Sequence, residues 1–323
     1  MVDATGNIPR KMSAVVTNPG EGPRLVLKEV PFPESAANQA LIKVACFSLN
    51  PGETRTAMQS PDSYIPGWDF AGVVAKAAAD GSSPGEGTRV FGIVPRGSWA
   101  EYVVACSGWM AEIPEGVTNG QASTLSVAAT TAEACLETGG SLLGRRVLIT
   151  GASGGVGRFA CQLATIAGAR VYAVSRRPEL ERRLREDRVE LMGIFSTMAA
   201  AKSAGEYDLI VESVGGESLG IAITALAENG ICASCGNSSC EQTSFDARDF
   251  YLRKTNIRLQ SVWLGKEMQA GNCTPRFARL IELVRDGRLR PPVHEELSWT
   301  RITEAAERLI QQKVNGKIIL QVV

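Results

Sequence analysis

An α/β fold in two parts is predicted for this chain: a doubly wound parallel sheet and a β-rich, barrel-like domain. Three observations predict it. Residues 1–125 carry short apolar runs separated by Gly, Pro, Asn or Asp, with no sustained helical period. From about Ser126 strands and helices alternate, the pattern of a parallel sheet covered on both faces. Finally, residues 147–157 place three glycines between an apolar strand and an amphipathic helix.

In the β-rich part, strands are expected at 14–17, 25–30, 40–45, 71–75, 89–94 and 99–104. In the alternating part the expected order begins with helix 128–137, ended by Gly139-Gly140, and strand 146–150. Helix 155–167 follows, with Phe159, Leu163 and Ile166 on one face, and then strand 170–174 and a charged helix at 179–186. Strand 207–211, helix 218–227, strand 230–233 and a last strand at 257–263 complete the sheet. Helices at 275–285 and 303–312 and a strand at 317–323 close the chain.

Composition narrows the function. The 323 residues are 44% apolar and 21% charged, enough for two ordinary domains with a sizeable core. Thirty-four basic residues balance thirty-four acidic ones, so no charge favours nucleic acid or a membrane surface. No apolar run approaches the roughly 20 residues that span a bilayer. Residues 1–12 are polar and lack a signal-peptide core, so a cytoplasmic protein is expected. The eight cysteines are scattered and read as free thiols. Cys232, Cys235 and Cys240 are the group to weigh as a metal site, but His294 is the only histidine and there is no second C-x-x-C. A buried strand at 230–233 running into a turn at Gly236-Asn237 is the plainer account.

The glycine turn is the strongest chemical signal. Gly151, Gly154 and Gly157 lie three apart, with Ser153, Gly155 and Val156 between them. Glycines let a backbone turn tightly and approach a pyrophosphate, and the helix that follows offers unpaired N–H groups and the positive end of its dipole. A dinucleotide is therefore the expected ligand. At the end of the next strand an NAD site places Asp or Glu; here stand Ser175, Arg176 and Arg177. A hydroxyl and two guanidiniums suit a 2′-phosphate, so NADPH is the expected cofactor. Pairing of the arginines with Glu179 and Glu181 on the surface is the alternative.

These residues resemble the medium-chain dehydrogenase/reductase superfamily, in particular its zinc-independent quinone oxidoreductase and enoyl reductase-like branch. The similar segments are Ser48-Leu-Asn-Pro-Gly-Glu53, Pro66-Gly-Trp-Asp-Phe-Ala-Gly72, the glycine turn, Val214-Gly-Gly216, Gly236-Asn-Ser-Ser239 and Asn315-Gly-Lys-Ile-Ile-Leu320. The resemblance runs from about residue 13 to the C-terminus. It implies a GroES-like catalytic domain over 1–125 and 264–323, a Rossmann NADP-binding domain over 126–263, and an active site in the cleft. It also implies that Thr131, Val214, Gly236, Asn237, Ser238 and Asn315 join the glycine turn around the cofactor.

Departures from the zinc-dependent relatives shape the expected chemistry. Gly67-Trp68-Asp69 stands where those relatives carry Gly-His-Glu, leaving Cys46 without a histidine partner. Of the four cysteines of a structural zinc lobe, residues 80–115 keep only Cys106. No metal is expected. Hydride transfer from NADPH to an α,β-unsaturated carbonyl or a quinone is then the simplest activity; an NADPH-binding protein with little turnover is the alternative. Asn50 is the candidate beside the nicotinamide through its family position and amide, or else the start of an Asx turn before Pro51. Tyr64, on a segment 58–65 expected to be flexible, and Arg55 are candidates for the proton donor and for binding a carbonyl. Arg55 pairing with Glu53, Tyr64 packing as an ordinary aromatic, and protonation by water are the alternatives. A homodimer is expected through the edge of strand 257–263, with a loop at 266–274 as the competing cover.

Overall fold

The structure is a computed structural model that describes residues 10–20, 22–252, 255–269, 271 and 273–323. The polar stretch at residues 1–9 lies outside the described residues, as do positions 270 and 272 of the 266–274 segment. The chain divides into two compact units: Met1–Val127, Gly265–Asp286 and Val293–Val323 form one, Ala128–Leu264 and Gly287–Pro292 the other.

The first unit opens with an antiparallel pair, β1 (Lys11–Thr17) and β2 (Leu25–Pro31). Strand β3 (Gln39–Ser48) leads into helix α1 (Pro51–Gln59), followed by β4 (Asp69–Lys76), β5 (Arg89–Ile93), β6 (Tyr102–Cys106) and β7 (Met110–Glu112). Helix α1 lies where no helix was expected. Its sequence, PGETRTAMQ, is too polar to show an apolar stripe, but Pro51 fits the first turn and Glu53 Oε1 accepts the Asn50 backbone N–H at 3.0 Å. The strand expected at 99–104 is shifted to Tyr102–Cys106. Trp99 is instead fully buried, its backbone tied to Pro66 and Val15 and its ring stacked on Phe47 at 5.8 Å. Strand β4 closes tightly on β3 at Gly72, where a Cβ would meet the Lys43 carbonyl oxygen at 2.0 Å.

A short helix α2 (Asn119–Ser123) and a π-turn (Leu125–Ala129) precede α3 (Thr130–Glu137) and the second unit. There β8 (Arg146–Ile149), α4 (Gly155–Ile166), β9 (Arg170–Val174), α5 (Leu180–Glu186), β10 (Leu191–Phe195) and α6 (Met198–Ser203) make the first half. β11 (Tyr207–Glu212), α7 (Gly216–Thr224), β12 (Leu226–Ser234), α8 (Ala247–Tyr251) and β13 (Arg258–Ser261) make the second. All six strands are parallel, in the order β10-β9-β8-β11-β12-β13. This is the doubly wound order whose switch point, between β8 and β11, is where such sheets bind ligands. Leu148, Tyr172, Tyr207, Ile210 and Leu226 build one face's core, each buried side chain contributing about 1.5–3 kcal/mol.

Several expectations are corrected here. Ile166 is 37% exposed rather than buried with Phe159 and Leu163, because the helix ends at that residue and the chain turns away at Gly168. The helix expected at 218–227 is Gly216–Thr224, and the strand after it begins at Leu226. The last strand is only Arg258–Ser261, with all four residues exposed. Residues 287–292 belong with the second unit because Arg290 exchanges backbone bonds with the Gln162 amide (2.7 and 3.0 Å) and its guanidinium reaches the Glu186 carbonyl at 2.5 Å.

The chain then returns through α9 (Leu264–Gln269), α10 (Thr274–Arg285), β14 (Val293–Ser298), α11 (Ile302–Ile310) and β15 (Lys317–Gln321). Strand β15 pairs antiparallel with β3, completing a sheet of order β14-β15-β3-β4-β5-β7 with β6 also on β3. That pairing delivers Lys317 into the core of the first unit, 3% exposed.

Candidate active site

Strand β8 ends at a turn that the three glycines make possible. Gly151 has φ +54°, a left-handed conformation, and a Cβ there would meet the Ser213 hydroxyl at 2.7 Å. A Cβ on Gly157 would lie 2.4 Å from the Gly151 carbonyl oxygen, so only glycine lets the start of α4 sit against the turn. Gly154 precedes the helix with φ −82° and no side-chain cap. The first-turn N–H groups of α4 thus have no intrahelical carbonyl to bond, and Ser153, Gly154, Gly155 and Val156 are all partly exposed. Arg158, after Gly157, is turned away into a buried ion pair with Asp187.

The ends of β9, β11 and β12 gather around this turn. The Ala152 N–H donates to the Val174 carbonyl at 3.2 Å. Beyond β9, the Ser175 hydroxyl accepts from the Arg177 N–H at 3.1 Å, Arg176 is exposed, and Arg177 lies 3.8 Å from Glu179. Glu181 pairs with Arg185 instead. Two residues that sequence reading passed over organise the next loop. Glu212, fully buried at the end of β11, accepts from the Thr150 hydroxyl (3.1 Å), the Val214 and Gly215 N–H groups (3.1 and 3.0 Å) and the Ser218 hydroxyl (2.9 Å). Ser213 links that loop to Thr150 and accepts the Ser238 N–H at 3.2 Å. Val214, Gly236, Asn237 and Ser238 are therefore brought together beside the glycine turn. Gly215 is required, since a Cβ would strike the Asn237 amide oxygen at 2.1 Å. Thr131 is buried in the first turn of α3.

In the first unit, Asn50 lies in a buried polar cluster. Its amide nitrogen donates to Glu53 Oε1 (2.9 Å) and Asp69 Oδ2 (2.7 Å), and its oxygen accepts from Lys317 Nζ (2.5 Å). Both amide donors, expected to serve a ligand, are thus already engaged. Glu53 is 3% exposed and faces Asn50, and the alternative of an Arg55–Glu53 pair is not realised; Arg55 lies half-buried on α1. The segment holding Tyr64 is anchored rather than loose: Thr17 bonds both its N–H and its carbonyl, and Arg24 holds the Met58 and Ser60 carbonyls. Burial, and secondarily the charge of Glu53, raises the Tyr64 hydroxyl pKa. Asn315 is buried two residues before Lys317.

Cys46 is buried and its thiol is pushed up to about 12, chiefly by desolvation. Asp69 is already held by the Lys317 ammonium, and the residue between is Trp68. Cys232 is buried, Cys235 bonds the Glu212 carbonyl and Cys240 is exposed. Among the described residues no group of three or more His, Cys, Asp or Glu is placed to hold a metal ion.

The parallel sheet of order β10-β9-β8-β11-β12-β13 with a glycine turn at its switch point, next in sequence to a mainly antiparallel sheet unit, defines a dinucleotide-binding class of protein. Comparison with known proteins agrees. Residues 156–320 match the family described as zinc-binding dehydrogenase and residues 36–115 the alcohol dehydrogenase GroES-like domain. The chain is 27% identical over 328 residues to a mitochondrial NAD(P)H oxidoreductase of Bos taurus, covering 88% of this chain and 82% of that protein. It is 30% identical over 203 residues to the 2-methylene-furan-3-one reductase of Solanum lycopersicum, covering 58% and 52%. The solved quinone oxidoreductase of Coxiella burnetii superimposes with a TM-score of 0.84 at 25% identity, covering 97% of this chain and all of that one. The chain belongs to the medium-chain dehydrogenase/reductase superfamily, with the α/β fold expected of it. It is an oxidoreductase that uses a nicotinamide cofactor.

Proposed function

We propose that this protein is a zinc-independent, NADPH-dependent reductase that delivers hydride to a conjugated acceptor, an α,β-unsaturated carbonyl or a quinone. The observation that carries this reading is the open glycine turn at the end of β8 with Ser175, Arg176 and Arg177 at the end of the neighbouring β9. The turn and the start of α4 would hold the pyrophosphate, the loops at Val214 and Gly236–Ser238 the nicotinamide half, and the two arginines the 2′-phosphate. When bound, NADPH supplies the hydride. Residues 126–263 serve the cofactor in this account and residues 1–125 with 264–323 the acceptor, with Thr131 and Asn315 among the cofactor residues.

Asn50 acts by shaping the site rather than by donating to the acceptor, because its amide is fully bonded. Tyr64, protonated at neutral pH as an ordinary tyrosine is, is the side chain assigned to return a proton, with water as the other source. Arg55 is the cation available to an acceptor carbonyl. A second copy of the chain would pair along β13, where Leu259 is 49% exposed, and the nearby Trp263 is 68% exposed. No helix of the described residues is long and apolar enough to cross a membrane; a cytoplasmic location remains part of the proposal.

The test is oxidation of NADPH with a panel of enones and quinones after exhaustive dialysis against a chelator. Turnover undiminished by the chelator is expected. Stoichiometric zinc whose removal abolishes turnover would overturn the metal assignment. Tight NADPH binding without turnover across the panel would establish the binding-protein alternative instead.

A further inference from the structure

The cluster around Asn50 holds three buried ionisable groups whose charges follow from counting donors. Lys317 Nζ donates to the Leu49 carbonyl (2.9 Å), Asn50 Oδ1 (2.5 Å) and Asp69 Oδ2 (3.4 Å), using all three of its protons. Asp69 Oδ2 also accepts from the Ser48 hydroxyl (2.6 Å) and the Asn50 amide (2.7 Å). Asp69 Oδ1 is buried without a partner and burial raises this carboxyl, but the three donors converging on Oδ2, one of them the ammonium, oppose that and make Asp69 the anion of the pair. Glu53 has no cation in contact. Its Oε1 accepts the Asn50 backbone and side-chain N–H groups (3.0 and 2.9 Å), while its Oε2 is buried with no hydrogen-bond partner. An ionised Glu53 would put a second negative charge beside Asp69 with a single ammonium to balance both, and that ammonium touches Asp69 and not Glu53.

We propose that Glu53 is a neutral carboxylic acid with its proton on Oε2, and that this held proton makes Glu53 a positioning residue. It leaves Asn50 bridging one anion and one neutral acceptor, which fixes the turn from Ser48 to the start of α1. Burial first, then the charge of Asp69, push the Glu53 carboxyl up to about 8, against the opposing pulls of Asn50 and Lys317. The positive end of the α1 dipole opposes this too, but acts on a group already removed from water. Other titratable groups around α1 are Arg55 on the helix itself, Arg24, which bonds the Met58 carbonyl, Tyr64 on the following loop, Arg301 just before α11, and Glu304, Glu307 and Arg308 on α11. There Arg301 pairs with Glu304, and Arg308 with Glu295.

The sign of the pH dependence is fixed. A carboxyl raised in the folded state contributes stability that is whole below its unfolded value near 4.5 and is lost as pH rises through about 8. Glu53→Gln mimics the neutral acid, its amide nitrogen replacing the protonated oxygen. Near pH 4.5 the variant should unfold within about 2 °C of the parent; as pH rises from there it should become the more stable of the two, with the full difference reached by pH 9. Infrared spectra of the whole parent chain in deuterated buffer should show a protonated-carboxyl band at pH 6 that disappears near pH 8 and is missing from Glu53→Gln. The parent spectrum alone decides the matter if the variant does not fold. An absence of any such band at pH 6, or a band that survives Glu53→Gln, places the proton elsewhere and overturns the proposal. None of these readouts requires turnover, so they stand apart from the proposed reaction.

Discussion

Replacing glycines 154 and 157 separately by alanine should split folding from cofactor binding. At Gly157 a methyl would meet the Gly151 carbonyl oxygen at 2.4 Å and the Ala152 Cα at 2.6 Å, where ordinary contact begins at 3.4 Å. Backbone lies on both sides, so α4 or the turn must move by about 1 Å, and overpacking of this kind costs about 1–3 kcal/mol. Gly154 differs: its φ of −82° suits alanine and its nearest neighbour is the Gly151 oxygen at 3.3 Å. Its methyl points into otherwise open space, the space a pyrophosphate must enter. Gly157→Ala should therefore lower Tm by several degrees and weaken NADPH binding. Gly154→Ala should keep Tm but lose at least one charge-assisted contact of about 1.5–3 kcal/mol, tenfold or more in Kd. Differential scanning fluorimetry and titration calorimetry measure the two effects. Wild-type NADPH affinity in Gly154→Ala would refute the reasoning.

Arg176→Ala combined with Arg177→Ala should weaken NADPH by tenfold or more and leave NADH nearly unchanged; equal losses for both nucleotides, read by fluorescence titration, would remove the 2′-phosphate assignment. Lys317→Met should destabilise the chain by about 3–5 kcal/mol at pH 8, because the Asp69 charge is left buried and unpaired. Adding Asp69→Asn should recover much of that loss in urea unfolding, and a double variant no better than Lys317→Met would show the pair is not coupled. Sedimentation should find twice the 34.4 kDa chain mass, and Leu259→Pro, which removes a donor from the exposed edge, should give monomer or unfolded chain; a folded dimer after that change would place the contact elsewhere.

What the sequence displayed was periodic or punctuated. The alternation from β8 onward and the glycines at 151, 154 and 157 each have a local physical cause, and local causes leave local signals. Helix α1 left none because it is polar and is organised by Glu53 and Asn50 rather than by an apolar stripe. Strand β10 was missed because Gly193 interrupts it and its register shifts between Leu191 and Gly193. The polar cluster was hidden for another reason. Lys317 stands beside an Ile-Ile-Leu run and Asp69 before a Phe-Ala-Gly-Val run with no local mark of a partner, and their 3.4 Å contact joins positions 248 apart in sequence. Glu212 ends an apolar strand in the same way, and its role follows only once the N–H groups of Val214 and Gly215 are seen pointing at it.

The most direct test of the central claim follows the transferred hydrogen itself. The protein is incubated with NADPH deuterated at the nicotinamide C4 and an α,β-unsaturated ketone, and the product is analysed by NMR and mass spectrometry. One deuterium on the β-carbon of a saturated ketone, delivered from one face of the nicotinamide and at a far lower rate with NADH, is the predicted result. Failure to bind either nucleotide, or a product deuterated at the carbinol carbon with the double bond intact, would contradict it.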